Sequence, residues 1–599
     1  KLKTGTTRRA TQHLPQTEEL ASLAEVTVVA VALVVSVVAV APAVADTLEE
    51  GDSKHPFLLD FTKLYLIMKK IALFSAAALF AYSSAMAQET YENAKIADQD
   101  LNGTARYIGM GGALDALGAD ISTISSNPAG IGLFRHSSAN VSFGIVSQQD
   151  CKTFANGKKT NLSFDQIGFV YSRRTGRSSF MNFAFNYHKS KNFDFILSAT
   201  GKLDGLSSQN KQTFLKSQDQ YFDLSDKGGA YVGNDNSFNQ VDYLYANTLL
   251  PVAFDDKNKG YIDGYLGASD FDFNRTHSGY IGTYDFNLSG NINDRVYLGI
   301  TFGIHDVHYK SYGEYTEALL DSSDKSIGKT SLSDNRKVTG TGFDVKAGII
   351  FRPVESSPFR IGLSIATPIW YDLTTTNYTT IDNRSLADNF GYYDTGNIGE
   401  SYDFKLYTPW KFGLSLGTTF DNYLAIGAGY EYSDYSTLDS RINDGGDYDW
   451  YYDTYYSNSS SDGEMNDHTE STLKGVSTLK LGMEFKADDN LAIRLGYNYV
   501  SPKYESVGYK DGTINSPGSY YASTTDYTNW ESINRVTCGI GYTLNKFSFD
   551  LAYQYSVQNG KFHAFTDYIS ELKDMSNLCD AVKVSNKRHQ LLLTLGYHF

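Results

Sequence analysis

Hydrophobic residues along most of this chain recur at every second position. Val296, Leu298, Ile300, Phe302 and Ile304 are apolar, whereas the interleaved Tyr297, Gly299, Thr301, Gly303 and His305 are small or polar. A period of two sends successive side chains to opposite faces of an extended backbone, so this segment reads as a strand with one greasy face. The same alternation appears at Phe343, Val345, Ala347, Ile349 and Phe351, at Leu424, Ile426, Ala428, Tyr430 and Tyr432, and at Leu491, Ile493, Leu495, Tyr497 and Tyr499. It closes the chain at Leu591, Leu593, Leu595, Tyr597 and Phe599.

The full pattern predicts fourteen strands, over 139–148, 162–174, 179–198, 279–289, 295–309, 340–352, 359–371, 402–418, 422–435, 472–486, 490–501, 533–544, 546–557 and 587–599. A soluble sandwich also alternates, so the loops decide where the apolar face points. Strands pair across tight turns such as Ser289–Asp294, Lys486–Asn490 and Leu544–Lys546, and each pair is separated from the next by a long polar stretch. Short turns at one end and long loops at the other, with an even strand count that leaves both ends on the periplasmic side, are the layout of an outer-membrane barrel. The expected fold is therefore all-β, a 14-stranded antiparallel transmembrane β-barrel over 139–599.

The face opposite the apolar one carries charge at Asp344, Lys346, Glu431, Lys480, Glu484, Arg494 and Asp550. A basic side chain facing lipid at mid-membrane costs about 2–4 kcal/mol, so these residues belong to the lumen. Barrels of about 8 strands fill with side chains and those of about 16–18 hold an aqueous channel, so fourteen strands predict a pathway or a plugged lumen.

Composition narrows the functions. After residue 90 no apolar run reaches the ~20 residues of a transmembrane helix, and a net charge of −16 argues against nucleic acid as a partner. Cys151, Cys538 and Cys579 are too scattered for a disulfide framework or a zinc site, and the 11 His are dispersed, so no metal or cofactor is expected. No G-x-S-x-G elbow, H-E-x-x-H pair or P-loop is present, and the chain is not read as an enzyme.

The amino end assigns a compartment. Met68-Lys69-Lys70 is followed by an apolar core from Ile71 to Tyr82 and by Ser83-Ser84-Ala85-Met86-Ala87, the three parts of a secretory signal peptide over 68–87. Residues 1–67, with a Val/Ala run from Val28 to Ala45, read as a translated upstream extension. The expected localisation is the outer membrane of a Gram-negative bacterium.

Residues 88–138 precede the first strand and lack its alternation. Their core, 101–136, is rich in Gly and Ala, carries Asp115 and Asp120, and contains Asn127-Pro128-Ala129-Gly130. In this setting, with fourteen strands downstream and a terminal Phe599, the chain resembles the FadL/TodX family of outer-membrane transporters for long-chain fatty acids and other hydrophobic compounds. Members of that family open with an N-terminal hatch bearing Asn-Pro-Ala. The resemblance implies that Asn127, Pro128, Ala129 and Gly130 sit in a plug within the lumen, and that the function is passive outer-membrane transport of a hydrophobic small molecule. Expected partners are that ligand, outer-membrane lipid and the barrel-assembly machinery that reads the terminal Phe599. A haem-receptor-like uptake protein and a barrel accessory of a protein-secretion machinery remain alternatives.

Family members also have an inward kink in the third strand that opens the wall. Here Met181, Phe183, Phe185 and Tyr187 hold the lipid phase, Lys189 and Lys191 break it, and Phe193, Phe195 and Leu197 resume it. These lysines mark a possible wall interruption. The plainer reading puts both in the headgroup layer, because 180–188 already supplies the ~9 residues that a crossing takes. Of the loops, 201–278 is the longest and contains Phe238, Val241, Leu244, Tyr245 and Leu249 at helical spacing, which suits a short helix in a local mini-core. The acidic, aromatic stretch Asp447–Tyr456 reads as a solvated surface.

Overall fold

The computed structural model describes residues 89–386, 391–395, 401–421, 423–449, 454–570 and 575–599. The expected signal peptide and upstream extension lie outside them, as do Trp450–Asp453 of the aromatic loop.

Fourteen antiparallel staves, counted among the described residues, form one closed ring. In chain order they are β1 (Ser138–Gln149), β2 (Thr160–Arg174), β3 (Phe180–Asn192, continued by Phe195–Lys202), β4 (Gly267–Ile292), β5 (Val296–Leu320), β6 (Ser326–Phe351) and β7 (Arg360–Ala366, continued by Trp370–Asp382). The second half comprises β8 (Ser401–Tyr407, continued by Lys411–Phe420), β9 (Leu424–Asp434), β10 (Gly475–Lys486), β11 (Leu491–Val500), β12 (Tyr527–Leu544), β13 (Phe547–His563) and β14 (Val582–His598). Each stave pairs with its predecessor. The seam closes with β1 against β14, from Ser138 opposite His598 to Gln149 opposite Lys587. Closure satisfies the backbone groups that a sheet edge would leave bare in hydrocarbon.

The greasy faces point outward. Phe143, Phe183, Phe286, Ile304, Leu363, Leu414, Leu481, Ile493, Leu551 and Leu593 are all at least one-third exposed and form an apolar belt around the wall. Of the lumenal charges anticipated from the sequence, Asp344, Lys346, Lys480, Glu484 and Arg494 are buried, and Glu431 and Asp550 are half-buried. Among the described residues no helix is long and apolar enough to cross a membrane; the crossing is made by strands.

β4, β5 and β6 run for 26, 25 and 26 residues, more than twice the ~9–11 that a crossing takes. Their upper halves form a tower beyond the lipid belt, and along β5 the polarity of the two faces inverts. Up to Ile304 the outward positions are apolar, but Asp306, His308, Lys310 and Glu314 follow on that face. The inward positions change the opposite way, from Gly299, Thr301, Gly303 and His305 to Val307, Tyr309, Tyr315 and Leu319. Water outside and a core inside replace lipid outside and a polar lumen inside.

That core carries a cap built from the long loop after β3. It holds a ten-residue helix Gln209–Gln218, a second helix Gln240–Thr248 and four short strands, packed against Leu319, Leu332 and Ile381 of the tower. Phe238, Val241, Leu244, Tyr245 and Leu249 are buried there, as their spacing predicted.

Candidate functional site: the lumenal segment and the chamber above it

Residues 89–137 lie inside the ring and are built from short pieces. Helix α1 (Thr90–Ile96) is followed by an extended turn and by α2 (Ala105–Gly109). Thr104 caps α2 by accepting from Tyr107 N, and its hydroxyl donates to Asp120 at 2.9 and 2.8 Å. Asp120 in turn accepts from Ser122 N and caps the 3₁₀ turn Ile121–Ile124. This local web explains how a stretch without a long helix or a strand holds one shape.

Asn127, Pro128, Ala129 and Gly130 come together in a second 3₁₀ turn, Pro128–Leu133. Asn127 caps it, its Oδ1 accepting from Ala129 N at 3.2 Å, and Pro128 takes the first position, where a missing N–H costs nothing. Asn127 is 1% exposed and Ala129 fully buried. The wall grips this turn and the one before it: Ser289 Oγ donates to Pro128 O at 2.9 Å, Asn182 Nδ2 to Ile131 O at 2.6 Å and Thr301 Oγ1 to Ile124 O at 2.8 Å.

The seat itself is made of glycine. On four successive staves Gly417 lies opposite Gly427, Gly427 opposite Gly482, and Gly482 opposite Gly496, a continuous row across the inner wall. Gly299 and Gly348 are likewise paired across β5 and β6. A Cβ on Gly427 would stand 1.9 Å from Ala113 O, on Gly482 2.3 Å from Met110 O, on Gly496 2.2 Å from Gly111 N, and on Gly299 2.4 Å from the Pro128 carbonyl. The lumenal segment thus lies in a groove that any side chain would fill. These glycines were legible only as the small partners of an alternating pattern, and nothing in the sequence showed that they share a level.

Ion pairs complete the attachment. Arg106 makes a two-pronged contact with Glu484 at 2.9 and 3.0 Å, and Arg494 bridges Glu484 at 2.6 Å to Asp550 at 2.5 Å. Lys480 joins Asp115 of the segment, at 3.1 Å, to Glu431 of the wall. Both oxygens of Glu484 are used, which is what makes a buried carboxylate tolerable.

Above this plug-like layer, α1 stands in a chamber lined by inward residues of the tower. Tyr91 stacks on Tyr504 with ring centroids 5.0 Å apart, and its hydroxyl donates to Asn529 at 2.7 Å. Ile96 is 1% exposed among Val307, Tyr371, Tyr402, Phe404 and Leu406. Between α1 and the plug-like layer lies a cavity bordered by His188, His305, Lys346, Lys411 and Arg535 together with Leu101, Ile369 and Val476.

The ladder of the third stave is irregular around Lys189 and Lys191. Its ladder with β2 ends at His188 opposite Gln166, and its register on β4 slips between Lys189 and Lys191. The upper part of β2, from Thr160 to Phe164, is left paired to β1 alone. Side chains bridge the break: Lys189 Nζ donates to Ser163 Oγ at 2.7 Å, and Asn102 Nδ2 donates to Asp165 Oδ1 and to Lys189 O, both at 3.0 Å. The headgroup placement expected for the lysines does not hold for Lys191. The bulge turns it into the lumen, where it pairs with Asp98 at 2.7 Å and Asp100 at 3.3 Å. A second, polar cavity backs this stretch of wall, lined by Asp98, Asp165, Lys191, Arg535 and Arg588.

No family model and no curated protein matches the chain. Among solved structures it is similar to a FadL homologue of Pseudomonas aeruginosa, at 12% identity and a TM-score of 0.46 over 84% of this chain and 99% of that one. It is also similar to the toluene transporter TbuX of Ralstonia pickettii, at 12% identity and a TM-score of 0.40 over 83% and 99%, and to the toluene transporter TodX of Pseudomonas putida, at 10% and 0.39 over 84% and 98%.

Proposed function

We propose that this barrel passes hydrophobic small molecules, of the size and kind of a long-chain fatty acid, across the outer membrane by passive diffusion, with residues 89–137 as its hatch. The observation that carries the reading is the chamber around α1. Strands that face a polar lumen within the membrane turn an apolar, aromatic face inward just above it, and α1 puts Tyr91, Ala94 and Ile96 against that face while its Glu92 pairs with Arg336. An apolar guest gains about 25 cal/mol for each Å² it buries in such a place. In the proposed path the guest enters beneath the cap and competes with Tyr91 and Ile96 for Tyr402, Phe404 and Tyr504. It leaves when the segment shifts, either toward the periplasm or sideways at the break near Lys189 and Lys191. A partner implied by the same reading is the assembly machinery that would recognise Phe599, which is 65% exposed at the end of β14.

The test is uptake of radiolabelled palmitate by cells whose own fatty-acid transporter has been deleted. Cells expressing the protein should take up the label faster than those carrying an empty vector, and Phe404→Asp should abolish the difference while leaving the folded barrel abundant. Equal uptake with and without the protein, at verified levels of heat-modifiable barrel, would overturn the reading.

A further inference from the structure

Within the tower one carboxyl group is buried with no cation to neutralise it. Glu317 lies on the inward face of β5, well above the lipid belt, and is 0% exposed. Its Oε1 accepts from Tyr315 Oη and from the backbone N–H of Gln209, both at 2.6 Å. Gln209 is the first residue of the ten-residue cap helix Gln209–Gln218, so Glu317 caps that helix from a different part of the chain. Its Oε2 is buried and makes no hydrogen bond among the described residues.

The surroundings offer the charge nothing else. In register on either side stand Phe271 of β4 and Thr330 of β6. From the cap helices come the Tyr245 phenol, whose hydrogen bond goes to Gln209 Oε1 at 2.8 Å, and Asp242. Asp242 is occupied in a buried pair with Lys216 at 2.5 Å, and Lys216 also donates to Ser237 O at 2.6 Å. Cys579, a buried thiol from the segment before β14, completes the group. Among the described residues no Lys, Arg or His comes within ion-pair distance of Glu317.

We propose that Glu317 is a proton-operated fastener of the extracellular cap, which holds residues 203–266 down on the tower when neutral and loosens them when ionised. A neutral carboxyl keeps its carbonyl oxygen for the two donors and needs no counter-ion. A carboxylate in the same place has a buried oxygen with no donor among the described residues, a state that lifting the cap relieves. Burial pushes the Glu317 carboxyl up to about 7 in the docked cap, whereas a lifted cap returns it to the ordinary carboxylate range near ~4.3. The group binds its proton more tightly in the docked state, so docking is fully favoured below that ordinary value and loses its advantage as pH rises through about 7.

The test is amide hydrogen exchange of the helix Gln209–Gln218 in detergent-solubilised protein at pH 5.5 and pH 8.5, expressed as protection factors corrected for the intrinsic rate. Wild-type protection should be lower at pH 8.5 by roughly thirtyfold, the factor that a displacement of the carboxyl to about 7 produces over that interval. Glu317→Gln, which keeps an acceptor and has no charge, should show the same protection at both values. Wild-type protection that does not change with pH, or a change that survives Glu317→Gln, would overturn the proposal. If Glu317→Gln yields no folded barrel, Tyr315→Phe serves instead. It removes one donor to the carboxylate and must move the midpoint of the pH dependence upward; an unmoved midpoint would equally overturn it.

Discussion

If the glycine row is the seat of the lumenal segment, a single methyl group should unseat it. Gly427→Ala places a Cβ 1.9 Å from Ala113 O and 3.1 Å from Ala113 C. Ordinary carbon–oxygen contact needs over 1 Å more, and neither side is a flexible side-chain end: the wall is fixed by ladders to β8 and β10, and the obstacle is backbone. Overpacking of this kind costs about 1–3 kcal/mol, so the displaced population of the segment should rise roughly fivefold to a hundredfold or more. The wall should be spared, because its strands pair through backbone groups that the methyl does not touch. Gly429→Ala is the matched control, on the same strand and the same face, where the new Cβ finds nothing nearer than Asp115 Oδ2 at 3.5 Å. Both variants should insert as heat-modifiable barrels. In planar bilayers Gly427→Ala should show more frequent or larger conductance events than wild type, and Gly429→Ala should not. Indistinguishable traces from the two, with both barrels folded, would refute the claim that the row positions the segment.

The Asn-Pro turn should behave in the same direction: Asn127→Ala with Pro128→Ala removes the cap to Ala129 N and the fixed φ, and should raise leakage of small solutes while barrel yield is unchanged. Unchanged leakage and palmitate uptake would make the segment a passive tail. Phe599→Asp should lower the amount of folded barrel in the outer membrane, measured by the gel shift between boiled and unboiled samples; an unchanged shift would remove Phe599 from assembly.

Much of the wall was legible because lipid imposes a simple rule on it. Every stave that crosses the belt shows apolar positions two apart, and the fourteen staves are found where that alternation occurs. What escaped is where the rule changes. The prediction for β5 stopped at residue 309 and that for β6 began at residue 340, yet these strands extend to Leu320 and back to Ser326. Beyond Ile304 the apolar phase moves to the other face, so a reading that follows one greasy face loses the strand just as it enters the tower. β8 was read as one strand over 402–418, but Pro409 cannot donate to a ladder and the stave breaks at Thr408–Trp410. At the site, Asn127–Gly130 stood out as local sequence, and Lys189 and Lys191 stood out as charges in an apolar phase. The wall partners Ser289, Thr301 and Asn182 did not, since each is an ordinary inward polar residue whose role depends on which part of the segment reaches it.

The position of the lumenal segment in the chain also sets an order on assembly. It immediately precedes β1, the stave that closes the ring against β14, while the row that receives it lies on β8 to β11, far from that seam. A segment held from many sides by wall residues is more easily seated while the sheet is still an open trough than after the ring has closed. The last backbone bond at the seam, Phe599 N to Ser137 O at 2.9 Å, then locks it in. On this geometry, seating the segment before the seam forms is the expected order of assembly, and a chain whose seam forms first is expected to leave the lumen open.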